Sequence, residues 1–187
     1  LRKENDLPVL GVVEPSCREA LAVTKNKKIG MIATLASARS GAYERTLKGL
    51  DADVQVVSQP CPLFVPLVEN GRFRQGDVVI ETVAREYLTP LIEAGVDTLI
   101  LGCTHYPLLK DIIGEICGPG VTLIDSGAAS ARALRQQLAA EGQLTDRQQG
   151  ETRFYVSDRP EDFEKLAAVF LEEPLSRGAE RIDIEQY

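Results

Sequence analysis

The strongest constraint on this chain is a rhythm. Short runs rich in valine and isoleucine recur between longer amphipathic stretches, and Leu99-Ile100-Leu101 is apolar at every position. A strand with one face in water alternates apolar and polar residues, so an unbroken run calls for cover on both faces. Strands alternating with helices supply that cover in a parallel sheet. The pattern therefore predicts an α/β fold, a parallel-sheet lobe with covering helices. Strands are expected at 7–13, 28–33, 54–58, 97–102, 121–125 and 152–157, with a further one at 181–185. Helices are expected at 15–23, 39–50, 76–94, 107–117, 128–141 and 160–171, and a shorter one at 63–69. Local chemistry agrees: Pro107 suits a first helical position, Ser126 a cap, Asp158 with Pro160 a helix opening, and Gly95 and Gly118 helix stops. Residues 143–151 are polar and read as a solvated loop.

Charge narrows the partners. Lysine and arginine number 21 against 28 aspartates and glutamates, for a net charge of -7, and no basic run is longer than Lys27-Lys28. Neither a nucleic-acid backbone nor an anionic membrane surface is an expected partner. No stretch has the length and apolarity of a membrane span, and Leu1 to Asn5 form no signal core. The four cysteines, Cys17, Cys61, Cys103 and Cys117, contain no CxxC pair, so reduced thiols in a cytoplasmic protein are expected. The chain does not begin with methionine, and its opening reads as the last turn of a helix running into a strand. That suggests a longer protein whose front is not in this sequence.

Ligands of an open parallel sheet bind where the strands end at their carboxyl sides. Three segments fall there: Ile32 to Ser37, Gln59 to Glu69, and Leu101 to Pro107. In the last, Cys103 lies where a buried strand gives way to a helix, two residues from His105, the only histidine. A helix amino end and a neighbouring imidazolium both favour thiolate, so a reactive thiol competes with the plainer reading of a small packed hydrophobe. Cys61 and Cys117 read as packing residues, and Tyr43, Tyr87 and Tyr106 as core or surface. A zinc site from Cys103, His105 and Cys61 lacks further ligands. Phosphate-binding signatures, G-x-G-x-x-G and G-x-x-x-x-G-K-[ST], are absent.

The segment Leu101-Gly102-Cys103-Thr104-His105-Tyr106-Pro107-Leu108-Leu109 resembles the second catalytic cysteine motif of the glutamate racemases. Gly11 to Pro15, Ile29 to Tyr43, Cys61 to Glu69 and Leu123 to Ser126 resemble segments of the same family in the same order, so the likeness runs from Leu1 to about Phe170. The resemblance implies two similar α/β lobes, with 15–131 as the second and with 1–14 and 132–187 as pieces of the first. It implies cofactor-independent interconversion of L- and D-glutamate for peptidoglycan synthesis and cell shape, by two cysteines on opposite faces of the substrate. Cys103 would be the base for L-glutamate, with His105 promoting it or protonating its product. Glu69 would stand near Cys103, and Thr104 would bind substrate through its N–H or hydroxyl. Thr34 and Ser37 would bind carboxylate oxygens, although Ala33 replaces a usual glycine and Ser37 a common threonine.

By this resemblance the family's first cysteine motif is not in the sequence, and the chain alone is expected to be inactive. Homodimer formation is a further expectation. The plainer readings are that Ser37 caps a helix, Thr34 satisfies a strand end, Glu69 is a solvated surface residue and Asp125-Ser126-Gly127 forms a helix cap. The alternatives for the whole are a racemase of aspartate or another amino acid, and a folded fragment without catalysis.

Overall fold

The structure is a computed structural model and describes residues 8–147, 150–171 and 173–186. These divide between Leu144 and Thr145 into two compact units. In the first, α1 (Val13–Val23) leads to β1 (Lys28–Ala33), α2 (Leu35–Ser40), α3 (Ala42–Leu50) and β2 (Gln55–Pro60). Then follow α4 (Phe64–Glu69), α5 (Val78–Glu93), β3 (Thr98–Gly102), α6 (Lys110–Cys117), β4 (Thr122–Asp125) and α7 (Ser126–Ala140). All pairings are parallel, in the order β2-β1-β3-β4. The register sets Ala33 opposite both Pro60 and Gly102, and Leu101 opposite Asp125, so the four strands finish close to one line.

The apolar run in β3 is explained by cover on both sides. Leu99 and Leu101, with Ile32 of β1, pack under α4, α5 and α6, whereas Ile100, with Ile29 and Met31, packs under α1 and α3. Each such buried side chain contributes about 1.5–3 kcal/mol relative to exposure. Among the described residues, no helix is long and apolar enough to cross a membrane.

Several boundaries differ from expectation. Residues 8–12 form no strand, and α1 begins at Val13. Leu7 and the expected helical turn at 1–5 lie outside the described residues. The helix expected at 39–50 is two helices, broken by Gly41 at φ 62°. The left-handed backbone ends α2 and starts α3 in a new direction, which glycine accepts without the steric cost of a side chain. The helix expected at 107–117 opens with a 3-10 turn, Tyr106–Leu109, before α6. Asp125, not Ser126, caps α7, accepting from the N–H groups of Gly127 and Ala128, while the Ser126 hydroxyl donates to the Leu101 carbonyl at 2.9 Å.

The second unit contains β5 (Tyr155–Val156), α8 (Pro160–Leu171) and β6 (Glu180–Arg181), with β5 and β6 parallel. The strands expected at 152–157 and 181–185 thus shorten to one paired dipeptide each. Glu164 of α8 accepts the Ala179 N–H at 2.8 Å, and Phe154 packs on Phe163.

Candidate active site

Gly102 ends β3 in close quarters. A Cβ there would stand 2.9 Å from the Ile32 carbonyl oxygen, so only glycine lets β3 run this near to β1 before the chain turns. Cys103, Thr104 and His105 form the turn. The Tyr106 N–H returns to the Cys103 carbonyl at 3.2 Å, and the Leu108 N–H to that of His105 at 3.2 Å. Those donors are therefore spent within the turn, and the α-helix proper starts only at Lys110. The helix end expected to activate Cys103 stands one 3-10 turn further along, and the group beside the thiol is the imidazole.

His105 meets three groups. Its Nδ1 lies 3.9 Å from Cys103 Sγ and 3.3 Å from Thr104 Oγ1, and its Nε2 lies 3.2 Å from Glu69 Oε1. A carboxylate only accepts hydrogen bonds, so the contact with Glu69 places a proton on Nε2. In the neutral ring Nδ1 is then an acceptor, facing the thiol and the threonine hydroxyl. The His105 side chain is 17% exposed and that of Glu69 49%. A contact this wet contributes little to stability.

Glu69 reaches this position because α4 is anchored by Phe64 and Val68, both buried, with Glu69 at its end. On the neighbouring strand end, Thr34 caps α2 and accepts the Ser37 N–H at 3.3 Å; the two hydroxyl oxygens are 3.2 Å apart. The cap is thus Thr34, not Ser37: its backbone is extended, as a capping residue requires, whereas Ser37 already lies inside the helix. The fold brings Cys103, Thr104, His105 and Glu69 into one cluster and Thr34 with Ser37 into another, both at the carboxyl end of the sheet.

The other thiols differ. Burial, with the Glu14 charge adding to it, pushes Cys17 up to about 12, and burial pushes Cys117 up to about 11. Burial also carries the Cys61 thiol well above the usual range. Cys103 is half-buried and is the thiol placed beside an imidazole. Among the described residues, no group of three or more His, Cys, Asp and Glu side chains could hold a metal ion. The sequence places Tyr106 only as core or surface. It is fully buried, and its hydroxyl donates to the Cys61 carbonyl at 3.1 Å. The available signal was its place directly after His105.

Known proteins share this arrangement of elements. A glutamate racemase of Geobacter metallireducens is 44% identical over 173 residues, which are 91% of this chain and 63% of that protein. The crystal structure of a glutamate racemase isoform from Bacillus anthracis superposes with a TM-score of 0.90 at 36% identity, covering 98% of this chain and 67% of the other. The glutamate racemase of Francisella tularensis, solved in complex with D-glutamate, gives a TM-score of 0.87 at 31% identity over 98% of this chain and 66% of the other. The chain thus spans under two thirds of the Geobacter protein it resembles. Residues 1–134 match the family described as Asp/Glu/Hydantoin racemase, and the chain belongs to that family.

Proposed function

We propose that this chain carries one of the two acid–base faces of a glutamate racemase, with Cys103 as the base for L-glutamate. The observation that carries the reading is the chain of contacts from Glu69 through His105 to Cys103. Nδ1 takes the thiol proton, and the Glu69 carboxylate stabilises the imidazolium that results. The thiolate then removes the α-proton: the Cα–H bond breaks, an S–H bond forms, and the electron pair stays on the substrate as a carbanion. Inversion needs a proton delivered to the opposite face, which the family's other cysteine supplies. Thr104 binds the substrate through its N–H or hydroxyl, and Thr34 and Ser37 bind carboxylate oxygens. No cofactor enters the scheme.

On this reading 15–131 form the second lobe, 1–14 and 132–187 contribute to the first, and the 187-residue chain alone does not racemise glutamate. The parent enzyme is cytoplasmic, supplies D-glutamate for peptidoglycan and so supports cell shape, and works as a homodimer. The test is Cys103→Ala in the complete parent enzyme, with α-proton exchange of each enantiomer in deuterium oxide followed by NMR. Racemisation should fall by a factor of about 100 to 10,000. D-Glutamate should still exchange slowly without inversion, while L-glutamate exchanges far less. Equal exchange of both enantiomers, or undiminished racemisation, would remove Cys103 from this role. Faster turnover of aspartate than of glutamate would move the assignment to an aspartate racemase.

A further inference from the structure

Cys61 follows β2, which is separated from β3 by β1, yet its backbone is fixed toward both. Its N–H donates to the Ala33 carbonyl at 2.8 Å, and its carbonyl accepts the Tyr106 hydroxyl at 3.1 Å. The Tyr106 ring meets Phe64 edge-on, with centroids 5.3 Å apart. Phe64 is fully buried and opens α4, the helix that ends in Glu69. Tyr106 also directly follows His105, and its N–H closes the turn on the Cys103 carbonyl. One side chain therefore joins the turn that holds Cys103 and His105 to the segment that holds Glu69. A phenylalanine ring would fill nearly the same space, so what the phenol adds is a buried donor that fixes a distance. Burial raises its pKa and keeps that donor protonated.

We infer that Tyr106 is a positioning residue: anchored on the Cys61 carbonyl, it sets the reach between His105 and Glu69 and so keeps the imidazole aligned as proton acceptor for Cys103. This rests on the reading of Cys103, His105 and Glu69 as a proton-transfer chain. A half-exposed carboxylate and an imidazole do not hold one geometry by themselves, because water and side-chain entropy compete with the contact. The buried hydrogen bond supplies the rigidity that the wet pair lacks.

The experiment measures the rate of Cys103 alkylation by iodoacetamide across the neutral pH range, with mass mapping, in the 187-residue chain. Tyr106→Phe should slow the reaction roughly threefold to tenfold, the scale of one ordinary hydrogen bond. It should have no further effect in a chain already carrying Glu69→Gln, since both act through the same contact. Placing 4-aminophenylalanine at position 106 restores an N–H donor and should restore the rate. If Tyr106→Phe leaves too loose a core to fold, 4-fluorophenylalanine fills the hydroxyl's space without a donor and should give the same slowing. An unchanged rate, full additivity with Glu69→Gln, or slowing that the amino variant does not reverse would overturn the inference. If Glu69→Gln and His105→Gln themselves leave Cys103 alkylation unchanged, the proton-transfer chain fails. If they slow it and Tyr106→Phe does not, only the role of Tyr106 fails.

Discussion

The two ends of β3 show what the same strand does in different settings. Asp97, just before it, is held by the Thr24 hydroxyl at 2.6 Å, the Lys25 and Asn26 N–H groups at 2.7 and 2.8 Å, and the Thr98 hydroxyl at 2.9 Å. Glu69, near the other end, meets His105 at 3.2 Å with half its side chain in water, and the thiol beyond stands 3.9 Å from the ring. Both clusters centre on a carboxylate. The first has its acceptor sites filled by short bonds from the loop that enters β1 and from Thr98 of β3, and it locks the amino ends of β1 and β3 together. The second has longer contacts and a carboxylate half in water. A carboxylate saturated with donors is an anchor; one sharing a histidine with a thiol is what the proposed proton transfer requires.

Asp97→Ala strands several donors at once and should cost about 2–4 kcal/mol in urea unfolding, while leaving the relative reactivity of Cys103 intact in the folded chain. An effect under about 0.5 kcal/mol would show that the amino-end cluster anchors nothing. Thiol mapping sharpens the other side: at neutral pH Cys103 should be alkylated about a hundredfold faster than Cys17 or Cys117, whose thiols burial keeps protonated. Preferential labelling of either of those would contradict the assignment of Cys103.

Smaller effects separate chemistry from stability. Glu69→Gln should slow Cys103 alkylation roughly threefold to tenfold and shift unfolding by less than about 0.5 kcal/mol, since the lost pair is exposed. A larger stability loss than rate loss would make Glu69 structural. The smallest effect is in acid. Burial raises the Asp97 carboxyl, but the bonds from Thr24, Asn26, Lys25 and Thr98 outweigh it and hold the group below the usual carboxylate range. Its folded pKa is lower than its unfolded one, so its stabilisation is fully present above about pH 4 and is lost as pH falls through the folded value. Asp97→Asn should flatten this part of the stability curve in acid titrations.

Much of the fold was legible because it rests on short-range patterns. Lys28–Ala33 was read to the residue, and the runs at 54–58, 97–102 and 121–125 were each placed within two residues of the observed strands. The breaks were legible only where backbone chemistry announced them. Gly41 carries a left-handed turn that a periodicity count passes over, and the segment at 8–12 has strand composition but is not a strand.

At the candidate site, the residue types that could act are written locally. Cys103 and His105 lie two positions apart after a buried strand, and no distant information is needed to bring them together. The meeting of His105 with Glu69, 36 positions apart, was decided by tertiary structure: α4 must dock through Phe64 and Val68 before its last residue can reach the imidazole. The Tyr106 anchor was decided in the same way. Its acceptor is a main-chain carbonyl 45 positions away, and every residue has a carbonyl, so the sequence carries no mark of which one will be used. Side-chain identity is written locally. The pairing of a donor with one backbone acceptor exists only after the sheet has set its strands in order.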